Sequence, residues 1–174
     1  MPLDRRQRCS DFEYSETAKR VLLVGAERPD EFRDAIRLLL RGHEVAVVNP
    51  RVTQAARIFH NEGGWFIPSR IEQLSRALGD FDLICENYPY PSGRHFVPAR
   101  AFARARLARL ARGGRWLVFT ESPRYARELK AAVEEGLGGA NFRVRVSRVP
   151  ADLAPASSYP PVSRRFRLIF ERRL

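Results

Sequence analysis

The stretch Val21-Leu22-Leu23-Val24-Gly25 decides the fold, because four consecutive apolar residues end at a glycine. Such an unbroken apolar run is typical of a strand buried on both faces of a parallel sheet. The next segment begins at Pro29, where a first helical turn tolerates proline, and carries apolar residues at helical spacing up to Gly42. A second β-branched run, Glu44 to Val48, closes at Asn49-Pro50. The order is therefore strand, helix, strand.

This alternation continues along the chain and predicts a parallel sheet with right-handed crossovers. Two last stretches, residues 141–149 and 165–171, alternate apolar and charged residues, and a Pro/Ala/Ser-rich loop at 150–163 joins them without a helix. Neighbouring strands joined in this way must be antiparallel. We predict helices over residues 54–61, 71–78, 98–112 and 123–137, and strands over 65–68, 81–85 and 115–120.

The whole pattern predicts one α/β domain over residues 19–174, preceded by a polar lead-in segment at 1–18. The domain is expected to be a three-layer sandwich with a mostly parallel seven-stranded sheet that ends in an antiparallel strand pair. No apolar run is long enough to span a bilayer, so we expect a cytoplasmic protein without membrane contact. The cysteines, Cys9 and Cys85, and the three histidines are scattered, which argues against a bound metal.

Charge is the strongest signal in the composition. The chain has 31 Lys and Arg against 20 Asp and Glu, a net charge of +11. This surplus favours a polyanionic partner such as RNA, through steering and counterion release. The alternative is an arginine bias that comes from a GC-rich coding sequence, since Lys19 and Lys130 are the only lysines.

Residues 98–115 contain six arginines and no acid. On a helix most of them would surround an apolar stripe formed by Ala103, Leu107 and Leu110, which predicts a surface that faces phosphates. A solvated helix face is the other interpretation. The candidate nucleic-acid-binding residues are Arg100, Arg104, Arg109 and Arg112.

Several stretches resemble the Rossmann-like class I S-adenosylmethionine-dependent methyltransferases over residues 19–174. They are strand 1 with Gly25, the segment Arg41-Gly42-His43-Glu44-Val45, the segment Phe81-Asp82-Leu83-Ile84, and the helix-Gly113-Gly114-strand segment. The order of these segments along the chain is that of the family. The resemblance implies S-adenosylmethionine as the cofactor.

The sharpest match is Asn87-Tyr88-Pro89-Tyr90, which resembles the N-P-P-Y motif of amino-group methyltransferases with Tyr88 in place of the first proline. The resemblance implies that the Asn87 side-chain oxygen and the Tyr88 carbonyl accept hydrogen bonds from the target amine, and that Tyr90 stacks on the substrate plane. Such a site acts by positioning and hydrogen bonding. These four residues are the candidate catalytic residues, although a simple turn at a strand end has the same composition.

The candidate cofactor-binding residues follow the predicted strand ends, where open α/β sheets bind ligands. The family usually carries several glycines after strand 1, a carboxylate after strand 2 and an acid after strand 3; this chain has a single glycine in the first loop, then Asn49, then Ser69. The candidates are Gly25, Ala26, Glu27, Asn49, Ser69 and Glu86.

Two functions remain open at this point. The resemblance and the charge favour an S-adenosylmethionine-dependent N-methyltransferase that acts on nucleic acid, with RNA preferred because so compact a chain has no evident DNA-reading domain. The departures in the cofactor loops favour a catalytically inactive binding or assembly module of the same fold. This module could be a domain of a larger bacterial protein such as a toxin.

Overall fold

A seven-stranded sheet forms the centre of the computed structural model, which describes residues 19–27, 29–87, 98–120, 122–149 and 165–174. The strands are β1 (Arg20–Val24), β2 (Glu44–Val48), β3 (Trp65–Ile67), β4 (Phe81–Asn87), β5 (Leu110–Thr120), β6 (Phe142–Val149) and β7 (Arg165–Arg172). Their spatial order is β3-β2-β1-β4-β5-β7-β6. Strands β1 to β5 are parallel, and β7 is antiparallel to both β5 and β6. The predicted mostly parallel sheet with an antiparallel C-terminal pair is confirmed.

Four α-helices in the described part of the chain connect the strands. Thr53 caps the second helix by accepting a hydrogen bond from the Ala56 amide at 3.1 Å, and Ser122 caps the fourth by accepting one from the Tyr125 amide at 3.1 Å. The helices are α1 (Pro29–Leu40), α2 (Gln54–Asn61), α3 (Ala99–Leu107) and α4 (Pro123–Gly136), with short 3-10 helices at Ile71–Gln73, Arg76–Leu78 and Gly139–Asn141.

Apolar side chains cover both faces of the sheet, so the domain has three layers. Helices α1 and α2 bury Phe32 and Phe59 against one face. Helices α3 and α4 bury Phe102 and Leu129 against the other face, where Trp116 of β5 stacks on Phe170 of β7 with ring centroids 4.7 Å apart. The predicted three-layer sandwich is confirmed.

The predicted helix over residues 71–78 is wrong, because two 3-10 helices separated by an extended Leu74 take its place. Arg109 donates hydrogen bonds to the backbone carbonyls of Leu74 and Ser75. These carbonyls would otherwise belong to the helix. A tertiary contact from a distant part of the chain thus overrides the local helical spacing.

The predicted helix over residues 98–112 is too long. Helix α3 ends at Leu107, and Leu110 already pairs with Phe81 as part of β5. Gly114 brings β5 so close to β4 that an added Cβ would lie 3.1 Å from the Phe81 carbonyl oxygen. Leu110 therefore belongs to strand β5, although the helical spacing had placed it in the apolar stripe of the predicted helix.

The predicted lead-in segment, residues 1–18, lies outside the described residues, as does the loop at 150–163. None of the described helices has the length and apolar character needed to cross a membrane.

Candidate active site at the carboxyl edge of the sheet

The turn after β1 and the end of β4 lie side by side at the carboxyl edge of the sheet. Val24 of β1 pairs with Glu86 of β4, so Asn87, the last residue of β4, lies one position beyond that pair, at the level of Gly25. The Gly25 amide also donates a hydrogen bond to the Val48 carbonyl at 2.9 Å, which joins the turn to β2. The remaining predicted catalytic residues, Tyr88, Pro89 and Tyr90, lie outside the described residues.

The backbone at Gly25 is open to a ligand. Gly25 has φ 76°, in the left-handed region that favours glycine, and an added Cβ would meet no atom of the described residues within 4 Å. Ala26 is buried, whereas Glu27 is exposed and lies 3.3 Å from Arg51 as an ion pair. The Glu31 carboxylate accepts a hydrogen bond from the Glu27 amide at 2.9 Å, which orders this turn.

Asn49 ties the first two loops of the edge together. Its side chain is 2% exposed. The Nδ2 atom donates to the Ala26 carbonyl at 2.9 Å, and the Oδ1 atom accepts from the Arg51 amide at 2.9 Å. The amide group at the end of β2 therefore holds the β1 and β2 loops in place rather than pointing into open space.

Ser69 lies beyond the end of β3 and is partly exposed. Its Oγ lies 3.3 Å from the Arg70 carbonyl oxygen and 3.4 Å from Gln73 Oε1, so its single hydrogen can be donated to either acceptor. Both distances are long, so the hydroxyl can exchange either bond for a ligand at small cost.

Glu86 belongs to a buried charge cluster on the face covered by α3 and α4. Arg106 Nη2 donates to Glu86 Oε1 at 2.7 Å, Arg106 Nε donates to Glu86 Oε2 at 3.1 Å, and Trp116 Nε1 donates to the same Oε2 at 3.2 Å. Both side chains of the ion pair are only 5% exposed. Each carboxylate oxygen of Glu86 thus has a partner inside the protein.

Arg106 also reaches a second carboxylate and a ring. Its Nη1 donates to Glu72 Oε1 at 2.5 Å, and its guanidinium lies 3.7 Å from the centre of the Phe102 ring. Burial alone would lower the pKa of Arg106, but the carboxylates of Glu86 and Glu72 raise it above its ordinary value. Burial alone would raise the pKa of Glu72, and the hydrogen bond from Arg106 holds it below its ordinary value.

Tyr125 lies near this cluster from α4. Burial, followed by the negative charge of Glu86, raises the pKa of the Tyr125 phenol. We define Glu86, Arg106 and Trp116 as the buried charge cluster, which the half-exposed Glu72 borders.

Sequence reasoning listed Glu86 as a candidate cofactor contact and missed its buried ion pair with Arg106. The signal was present, since Ala103, Arg106 and Leu107 share one helical face and two of them were assigned to the apolar stripe. A lone arginine on an apolar stripe requires a buried carboxylate. Glu86, on a buried strand, was the available partner.

The four predicted nucleic-acid-binding arginines separate into two groups. Arg100 donates to the Gly136 carbonyl at 3.2 Å, and Arg109 donates to the carbonyls of Leu74 and Ser75. Arg104 and Arg112 are exposed and line one groove at the opposite, amino edge of the parallel strands. Arg109 and Arg112 lie beyond the end of α3, so the predicted single helix face does not exist.

Histidine, cysteine and acidic side chains do not converge into a group that could hold a metal ion anywhere in the described part of the chain.

No protein-family model matches the chain, and the curated proteins contain no significant match. Solved structures do match. The plantazolicin methyltransferase BpumL in complex with a plantazolicin analogue and SAH superposes with a TM-score of 0.68 at 10% identity, covering 98% of this chain and 82% of that one. The N-methyltransferase NodS from Bradyrhizobium japonicum gives 0.60 at 13% identity over 98% and 93% of the two chains. TrmN from Thermus thermophilus gives 0.66 at 19% identity over 96% of this chain and 48% of that one.

The chain has the class I methyltransferase fold. Strand order and the antiparallel β7 agree with the resemblance drawn from the sequence segments, which is confirmed at the level of the fold. Within the class I methyltransferase fold of this chain, the backbone of Gly25 and Asn87 follows the last residue pair of β1 and β4, where the strand order reverses. Such a switch point is where open α/β sheets bind ligands.

Proposed function

We propose that the chain is an S-adenosylmethionine-dependent methyltransferase that acts on an amine nitrogen of a nucleic acid, with RNA as the preferred substrate and the cytoplasm as its location. The observation that carries this proposal is the register of β1 and β4, which puts Asn87 beside the open turn at Gly25. A substrate amine held at Asn87 would therefore lie next to a cofactor held at the turn.

The residues at the β1 turn fit the cofactor. The open backbone at Gly25 allows close approach, and the exposed Glu27 carboxylate is a suitable acceptor for hydroxyl groups. The Ser69 hydroxyl supplies a further polar contact at the end of β3. When bound, S-adenosylmethionine supplies the methyl group: the N–C bond forms as the S–C bond breaks, and the sulfonium becomes a neutral thioether.

The chain's own residues would position the amine. In the roles that the motif resemblance implies, the Asn87 side-chain oxygen and the Tyr88 carbonyl would accept N–H groups of the amine, and Tyr90 would stack on the base. The methylated nitrogen then releases one proton to solvent. Orientation of this kind accounts for several powers of ten in rate without a charged catalytic group.

A second candidate function is a non-catalytic binding or assembly module of the same fold. The specific observation in its favour is that Asn49 and Glu86, both predicted to contact the cofactor, have their polar atoms bonded within the protein. Under this interpretation the carboxyl edge keeps its structure but binds no cofactor.

Isothermal titration calorimetry with S-adenosylmethionine and SAH separates the two functions. The enzyme is expected to bind both ligands in the micromolar range, whereas absence of heat at millimolar ligand would refute it and support the module. Transfer of a radiolabelled methyl group to RNA then tests the motif. We expect Asn87→Ala to lower the rate by about 100-fold, by analogy with the loss of one positioned hydrogen-bonding group.

The matched control is Asn61→Ala, which makes the same chemical change at the exposed end of α2. This variant should keep the full rate. Equal rates for the two variants would show that Asn87 does not position the amine.

A further inference from the structure

A groove of about 600 Å³ opens at the amino edge of the parallel strands, opposite to the candidate active site. It lies between the end of α3, the start of β5, the start of β6 and the end of β7. Ten of the described residues line it, and none of them is an Asp or a Glu. Four of them are arginines, and we name this feature the arginine groove: Arg104, Arg112, Arg172 and Arg173.

The charge of the arginine groove is not neutralised by the described part of the chain. Arg172 donates to the Leu110 carbonyl at 2.5 Å, which fixes its position but leaves its charge. Arg104, Arg112 and Arg173 form no ion pair with any described residue. Glu171, the acid next to Arg172 in sequence, instead bonds Arg145 at 3.0 Å and lies 3.7 Å from Arg115.

Four guanidinium groups around one volume repel each other in the free protein and hold counterions there. A chain of phosphates would relieve this repulsion and release the counterions, which is the main source of affinity for nucleic acids. The groove also has apolar walls, formed by Leu107, Leu137 and Phe142. Exposed bases of a single strand can contact such walls, whereas a duplex presents mainly its phosphates.

We propose that the arginine groove binds the backbone of single-stranded nucleic acid, an inference that rests on the nucleic-acid substrate of the proposed function and assigns its docking surface. The groove and the candidate active site lie at opposite edges of the parallel strands, and the seven residues of β4, which runs from one edge to the other, span about 23 Å. A strand of several nucleotides can cover this distance. The groove therefore acts on substrate affinity and leaves the reacting atoms untouched.

Fluorescence anisotropy with a short labelled single-stranded RNA tests the groove without any cofactor. The double variant Arg104→Ala/Arg112→Ala removes two unpaired charges. We expect its affinity to fall by about tenfold at low salt and the slope of log affinity against log salt to become shallower by about 1.4, the value for two lost phosphate contacts. A duplex of the same sequence should bind more weakly to the unmodified protein.

The control is Arg33→Ala/Arg57→Ala, which removes the same net charge from exposed positions on α1 and α2, across the sheet. It should keep nearly the whole affinity. The proposal is overturned if the groove variant binds like the unmodified protein, if both variants weaken equally, or if duplex binds as well as single strand.

The anisotropy experiment and the calorimetry test the groove and the enzymatic function independently of each other. If S-adenosylmethionine does not bind but the groove variant still loses RNA affinity, the groove proposal is supported and the enzymatic function is refuted. If the cofactor binds and RNA affinity is unchanged in the groove variant, the enzymatic function is supported and the groove proposal is refuted.

Discussion

Replacement of Arg106 by methionine should destabilise the fold strongly, because it leaves the Glu86 carboxylate buried with Trp116 Nε1 as the one donor that remains among the described residues. Both partners of the pair are 5% exposed, so water cannot take the place of the guanidinium without opening the core. Breaking a buried ion pair on one side costs about 3–5 kcal/mol. This is a large share of the roughly 5–15 kcal/mol by which most domains are stable.

Methionine is chosen because its unbranched side chain can fill much of the volume of the arginine stem against Phe102. The double variant Glu86→Met/Arg106→Met should then recover most of the lost stability, since it removes both charges together. Arg104→Met is the control: it lies two residues away on the same helix but is exposed, and we expect a change within about 0.5 kcal/mol.

Urea unfolding followed by circular dichroism measures the free energy of unfolding for all four chains. The reasoning is refuted if Arg106→Met costs less than about 1 kcal/mol, the average for an arbitrary substitution. It is also refuted if the double variant is as unstable as the single one, because the loss would then come from packing and not from an orphaned charge.

Two further predictions concern the core. Gly64→Ala should lower the free energy of unfolding by about 1–3 kcal/mol, because an added Cβ would lie 2.2 Å from the ring of Phe59. Thermal melting should show that adding Phe59→Leu recovers part of this loss. An unchanged melting temperature in Gly64→Ala would contradict the packing. The pKa of Tyr125 is raised in the folded state, so folding favours the protonated phenol. This contribution to stability is complete below the unfolded-state pKa of about 10 and is lost as the pH rises above that value. The urea midpoint should therefore fall between about pH 9 and about pH 11 by more than in Tyr125→Phe; parallel midpoints in the two chains would be the contrary result.

The parallel part of the sheet was predictable because each buried strand is a continuous apolar run and each helix begins or ends at a recognisable residue. β1 and β2 show this directly, as does α1 with its proline in the first turn. Helix ends were less predictable. Leu110 satisfies the helical spacing from Leu107 as well as the strand pairing with Phe81, and only the assembled sheet decides between them.

The candidate site was predictable in position but not in its hydrogen bonds. Strand ends locate Gly25 and Asn87 at one edge, since parallel strands share their direction. The partner of Glu86 is Arg106, 20 residues later on another element. The apolar helix face marks Arg106 as buried, but only the assembled fold decides which carboxylate it meets. For the same reason, a row of arginines in one segment could not be divided into buried, carbonyl-bonded and exposed members without the fold.

The division of these arginines has a consequence for the substrate. The carboxyl edge keeps an open backbone turn next to Asn87 but commits Asn49 and Glu86 to internal bonds, so a cofactor bound there would be held largely by the backbone of the turn and by Glu27. Four arginines that could attract a substrate line the arginine groove at the other edge. A small amine substrate would contact only the carboxyl edge. A nucleic acid strand is long enough to use both, which is why the proposed substrate is a polymer.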